Sequence, residues 1–250
     1  MDRPLFDGLI ELADDHVILG QRLGEWCGHA PTLEEDLALT NLALDLIGTA
    51  RTLYDYAARI EGQGRTEDDL CFLRVEREFR NLLLVERPNG DFAHTIARQF
   101  FFAAFMHPFW QAAQDSGDEV VRGVAGKAVK EMAYHVRHSG EWIIRLGDGT
   151  DESRRRMIAA LEALAPYVEE LFVSSPAAAE LERRGVLPER AAMRPAFEAT
   201  LGRVLAEAGL EMPEVPWPQT GGREGLHTED LGHILAEMQY MQRAYPGCQW

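Results

Sequence analysis

Between Phe92 and Gln114 the chain carries no acidic side chain, although 41 of its 250 residues are Asp or Glu. A helix over this segment, FAHTIARQFFFAAFMHPFWQAAQ, is apolar around most of its circumference and has to be covered by other helices on nearly every side. The aromatic run Phe100-Phe101-Phe102, with Phe105, Phe109 and Trp110, therefore reads as core rather than as a ligand pocket. Pro108 is expected to kink the helix.

The sequence around this segment repeats with helical period, and no alternating run bounded by hairpin turns interrupts it. The spacing predicts helices over 4–27, 33–61, about 66–85, 92–115, 118–146, 151–173, 188–209 and 228–243. The ends are punctuated. Gly28 stops the first, and Thr32 with Glu35 fits a capping box for the second. Asp91 caps the fourth after the turn Arg87-Pro88-Asn89-Gly90, Thr150 or Asp151 opens the sixth, and Thr228 opens the last. In the second helix Leu37, Leu44, Ile47, Leu53, Tyr54 and Ile60 form one broad apolar face. The stretch 211–226, with three Pro and three Gly, reads as an extended arm rather than a domain linker. The predicted architecture is all-α: a ferritin-like, long-helix antiparallel bundle with additional C-terminal helices, forming a single domain over 1–250.

A formal charge of −16 argues against nucleic-acid binding, which depends on Lys and Arg neutralising phosphates. Only Lys127 and Lys130 are lysines. Cys27, Cys71 and Cys248 show no pairing rhythm, which fits a reducing cytoplasm. With no apolar run of membrane-spanning length, a soluble cytoplasmic protein is expected.

A long-helix bundle raises the di-iron reading, which has a sharp test. Such a site takes a carboxylate from each of two helices and a Glu-x-x-His from each of the other two, because i and i+3 share a helical face. Only Glu224 is followed by His at i+3, His227, and it lies in the Gly-rich arm. Glu76-Arg-Glu-Phe79 and Glu131-Met-Ala-Tyr134 place an aromatic residue where the histidine belongs. The segment 92–114 supplies no carboxylate at all.

Lys127, Lys130, Glu131, Tyr134, His135 and His138 nevertheless share one face of the fifth helix, and two readings stand. One is a degenerate metal site in which Asp45, Glu76, Glu131 and His135 are remnants and Lys130 compensates their charge. The other is a solvated amphipathic face with ordinary pairs such as Lys127 with Glu131. His227, Asp230 and His233 suggest a surface cation site, which the capping of the last helix largely accounts for.

The blocks LGQRLGEWCGHA at 19–30, EDLALTNLALDLIGTAR at 35–51, FRNLLLVERPNGDFAHTIARQ at 79–99, KAVKEMAYH at 127–135 and TGGREGLHTEDLGHILAEMQYMQR at 220–243, with the terminal PGCQW, carry a resemblance over nearly the whole chain. They resemble the C subunits of bacterial ring-1,2-phenylacetyl-CoA epoxidases. The resemblance implies a structural, non-catalytic role in a multicomponent monooxygenase of phenylacetate degradation. In that family the C subunit pairs with a catalytic A subunit in a ferritin-like heterodimer within a larger assembly. It implies no cofactor in this chain, di-iron in the A subunit, and no nucleic-acid or membrane partner. Whether the isolated chain forms a homodimer is left open. The competing expectation is a di-metal ferritin-like oxidoreductase active on its own, built on Asp45, Glu76, Glu131 and His135.

Overall fold

The computed structural model describes residues 1–248, and every regular element among them is helical. Gln249 and Trp250, the end of the PGCQW block, lie outside the described residues. The chain divides into two compact units: Met1–Arg87 with Ser175–Leu181 and the chain from Gly221, and Pro88–Ser174 with Glu182–Thr220. The division at 220/221 falls inside the predicted arm. No described helix is long and apolar enough to cross a membrane.

The first unit is built on an antiparallel hairpin of α1 (Arg3–Gly24) and α2 (Leu33–Glu61). The Asp2 and Thr32 side chains cap the two N-termini, accepting from the backbone N–H groups of Leu5 and Glu35. The helices approach closely at Gly20, where a Cβ would lie 2.9 Å from Ile47 Cγ1 and 3.3 Å from the Ala43 carbonyl oxygen. Leu39, Leu42, Leu46 and Leu53 are buried on α2, whereas Leu37 and Leu44 are 58% and 60% exposed. The single broad apolar face expected of this helix is therefore split, because the hairpin covers only one side of it.

The helix expected over about 66–85 is instead α3 (Glu67–Phe72), a 3-10 turn at Glu76–Glu78 and α4 (Leu83–Glu86). The reason is a competition for backbone donors. The N–H groups of Arg80 and Leu82 donate to Asp14 and Asp15 on α1 rather than to carbonyls four residues back. The unit is completed by the 3-10 turn Gly222–Glu224, α10 (Glu229–Met238) and α11 (Tyr240–Ala244). The predicted helix 228–243 is interrupted at Gln239, whose side chain donates to the carbonyls of Cys71 and Arg74.

The second unit is built on α5 (Phe92–Ala113) and α6 (Glu119–Gly147), capped by Asp91 and Asp118. The ring of Phe92 meets Trp142 edge-on at 5.0 Å, and Gln99 meets His135 at 3.0 Å, so these helices too run antiparallel. Phe100, Phe101, Phe102, Phe105, Phe109 and Trp110 are all fully buried, as the acid-free segment requires. Pro108 lies within α5, which continues to Ala113. α7 (Asp151–Leu164) ends before Pro166, which has no N–H to donate, and the remainder of 151–173 forms 3-10 turns at Ala165–Tyr167 and Glu169–Phe172. α8 (Pro176–Arg183), whose first six residues group with the first unit, is not among the helices that periodicity predicts. Its signal is Ser175-Pro176: the Ser175 hydroxyl accepts from Ala178 N–H at 3.0 Å with proline at the first helical position. α9 (Arg194–Ala208) begins after a 3-10 turn at Arg190–Met193 and closes on Gly209 at φ +63.

Candidate functional site

The chemistry-bearing groups of the first unit converge on the middle of α1. The run ELADDHVILG places Asp14 and Asp15 in a helix whose neighbours are all buried, and both acids are themselves fully buried. Ionised carboxylates in such a place require partners. Arg74 supplies the first: its Nη1 donates to Asp14 Oδ2 at 3.0 Å, its Nη2 donates to Oδ1, and the Tyr54 hydroxyl donates to the same Oδ1. The Arg80 N–H completes the shell of Asp14 at 2.7 Å. Phe79 stacks beneath the guanidinium at 4.1 Å.

Asp15 is held from the arm. Arg223 grips it with two N–H groups at 2.9 and 2.6 Å, while Leu82 N–H donates to Oδ1 at 2.8 Å. Arg223 Nη1 also donates to the carbonyls of Glu11 and Arg80 at 3.1 and 2.6 Å. A third buried acid, Glu86, accepts from Thr228 N–H on Oε1 at 2.6 Å, and from Asn81 Nδ2 and His227 Nδ1 on Oε2, each at 2.9 Å. The other His227 nitrogen, Nε2, lies 3.0 Å from the Phe79 carbonyl. Both ring nitrogens thus face acceptors, the arrangement of an imidazolium.

The arm reaches this cluster because of its glycines. A Cβ on Gly222 would lie 2.0 Å from the Asn81 carbonyl oxygen, and one on Gly225 would lie 2.6 Å from that of Arg77. Gly225 also sits at φ +75, where a side chain is strained.

Electrostatics follow the geometry. Burial and the Asp14 charge push the Tyr54 phenol well above its ordinary range. Burial drives the Cys71 thiol up to about 12, leaving it an unreactive core residue. Burial opposes the His227 cation, but the Glu86 hydrogen bond and charge outweigh it and raise its pKa. A raised folded-state value means that the stabilisation is complete below the unfolded histidine pKa and is lost as pH rises through the folded one. The urea midpoint of the wild-type chain should therefore fall more from pH 6 to pH 9 than that of His227→Gln; equal losses would show that His227 carries no charge in the fold.

The residues expected as metal remnants fall two in each unit. Asp45 is half-buried on α2, and Glu76 is exposed in a 3-10 turn at the rim of a surface groove with Gly232, Tyr240 and Arg243. Both belong to the first unit, whereas Glu131 and His135 belong to the second. On α6, Lys127 pairs with Glu131 at 2.9 Å, and buried His135 accepts or donates at Nδ1 with Gln99 of α5. Lys130, one position before Glu131 on the same helix, is exposed to solvent. The reading of His227, Asp230 and His233 through capping also changes. Thr228 makes no side-chain cap, His227 and Asp230 pair with Glu86 and Arg87, and only His233 is exposed.

The three buried carboxylates of the cluster are committed to donors of the chain itself. All six carboxylate oxygens of Asp14, Asp15 and Glu86 accept hydrogen bonds from the chain's own donors. In the α5–α6 pair the amide of Gln99 lies 3.0 Å from His135 Nδ1. Among the described residues no three His, Cys, Asp or Glu side chains group to hold a metal ion. Asp14, Asp15, Arg74, Glu86 and Arg223 escaped the sequence reading, though two adjacent acids inside an apolar helical stripe and an Arg after Gly-Gly are the signals that mark them.

Two long antiparallel hairpins, with helices as the only regular elements among the described residues and buried acids neutralised internally, define a ferritin-like helical protein. The chain belongs to the phenylacetic acid catabolic protein family, whose model matches residues 1–250. It is 47% identical over 241 residues to the C subunit of the 1,2-phenylacetyl-CoA epoxidase of Escherichia coli K12, covering 96% of this chain and 97% of that protein.

Proposed function

We propose that the chain is the structural, non-catalytic subunit of a multicomponent phenylacetyl-CoA 1,2-epoxidase in aerobic phenylacetate catabolism, working in the cytoplasm as a partner of a di-iron catalytic A subunit. The observation that carries this reading is the saturation of Asp14, Asp15 and Glu86 by Arg74, Arg223, His227 and backbone N–H groups. Carboxylates committed in this way act as internal cross-links, tying α1 to the segment 74–86 and to the arm. A helix pair stiffened by such links is suited to hold a neighbour's ligand-bearing helices in register and to keep water out, which oxygen chemistry in that neighbour requires.

The deciding measurement is elemental analysis of the purified chain, made with iron available during expression, both with co-expression of the A subunit and without it. The expected result is iron well below one per chain alone, rising only when A co-purifies. About two irons per chain without A would overturn the reading in favour of a di-metal oxidoreductase. The same scaffold predicts that isolated A is less active or less stable than the A–C pair under matched conditions; equal activity and stability would remove the scaffold role.

A further inference from the structure

The exposed side of α6 is anomalous in an acidic protein. From Arg122 to Arg137 it presents four exposed cations, Arg122, Lys127, Lys130 and Arg137, including both lysines of a chain whose net charge is −16. The one acid in that stretch, Glu131, sits at the edge with its side chain 14% exposed and is already paired with Lys127. Tyr134 is 38% exposed among them, with the Arg137 guanidinium 5.4 Å from its ring centre.

The same face carries Gly123 and Gly126 well inside a 29-residue helix. Glycine weakens a helix interior relative to alanine, and nothing in the chain demands it here: no atom lies within 4 Å of a Cβ built at either position. Two glycines without an internal reason, beside an aromatic side chain and a row of cations, indicate close approach from outside.

We propose that this face of α6 docks an acidic helix of the A subunit, a refinement that rests on the function proposed above. The cations are strung along the helix from Arg122 to Arg137, a rise of about 22 Å, rather than converging on a point, which matches a row of Asp and Glu on a second helix and not a phosphate group. An acidic partner is repelled by a surface of net negative charge and attracted here, so the basic face sets where it lands.

The test uses the full chain and purified A protein, with binding measured across a salt series. Wild-type affinity should weaken as salt rises, and a zero-length carbodiimide should couple Lys127 or Lys130 to carboxylates of A. Lys130→Glu with Arg137→Glu should weaken binding about 10-fold or more. Gly126→Leu, which leaves the charges in place, should weaken it as well, both variants keeping wild-type circular dichroism. If wild-type chain binds A but both variants bind equally well, this surface is wrong and the proposed function stands. If wild-type chain does not bind A at all, both fail. Coenzyme A binding that is lost in the charge variant while A binding is unchanged would assign the cations to a phosphate ligand and overturn the proposal.

Discussion

Arg223→Met is expected to destabilise the chain by about 3–5 kcal/mol, read as a lower urea midpoint at pH 7, because it leaves Asp15 buried with an uncompensated charge. Methionine replaces much of the stem volume, so the loss tests charge and hydrogen bonding rather than a cavity. Adding Asp15→Asn should restore a large part of it. The amide oxygen still accepts from Leu82 N–H, and position 15 no longer carries a buried charge. A double variant no more stable than Arg223→Met would show that the guanidinium acts through its bonds to the Glu11 and Arg80 carbonyls rather than through Asp15.

Gly222→Ala should cost about 3 kcal/mol or more, at the upper end of overpacking effects, although the substitution adds a single methyl group. The contact is with main chain. The Asn81 carbonyl oxygen lies 2.0 Å from the position the Cβ would take, and it belongs to the segment whose neighbouring N–H groups are fixed on Asp14 and Asp15. Neither side has a flexible end that can swing away, so the arm has to lift, and Arg223 and His227 lose Asp15 and Glu86 with it. Hydrogen exchange should report this as loss of protection at Leu82 and Thr228 together. Gly126→Ala on α6, where a Cβ meets nothing, is the control and should be neutral or mildly stabilising. Equal effects of the two alanines would refute the close approach.

Local rules were legible wherever a helix depends on its own residues. Asp91, Thr150 and Thr32 cap as their sequences indicate, the acid-free segment is buried throughout, and Lys127 pairs with Glu131 one turn on. The misreadings share one cause. The stretch 66–85 has helical periodicity, but its donors at Arg80 and Leu82 are claimed by acids more than 60 residues away. Leu37 and Leu44 have core-like spacing, but only one side of α2 is covered by its hairpin partner.

By itself the sequence determined the helical class, the long hairpin helices and most of their starts, because all of these follow from periodicity and capping within a few turns. Tertiary structure alone decided that Asp14 meets Arg74 across 60 residues and Asp15 meets Arg223 across 208. No spacing rule encodes such pairs. A buried carboxylate needs a cation, but which one it receives depends on which backbone segments come close enough, and here that was settled by glycines that let the arm press against the main chain of segment 77–83.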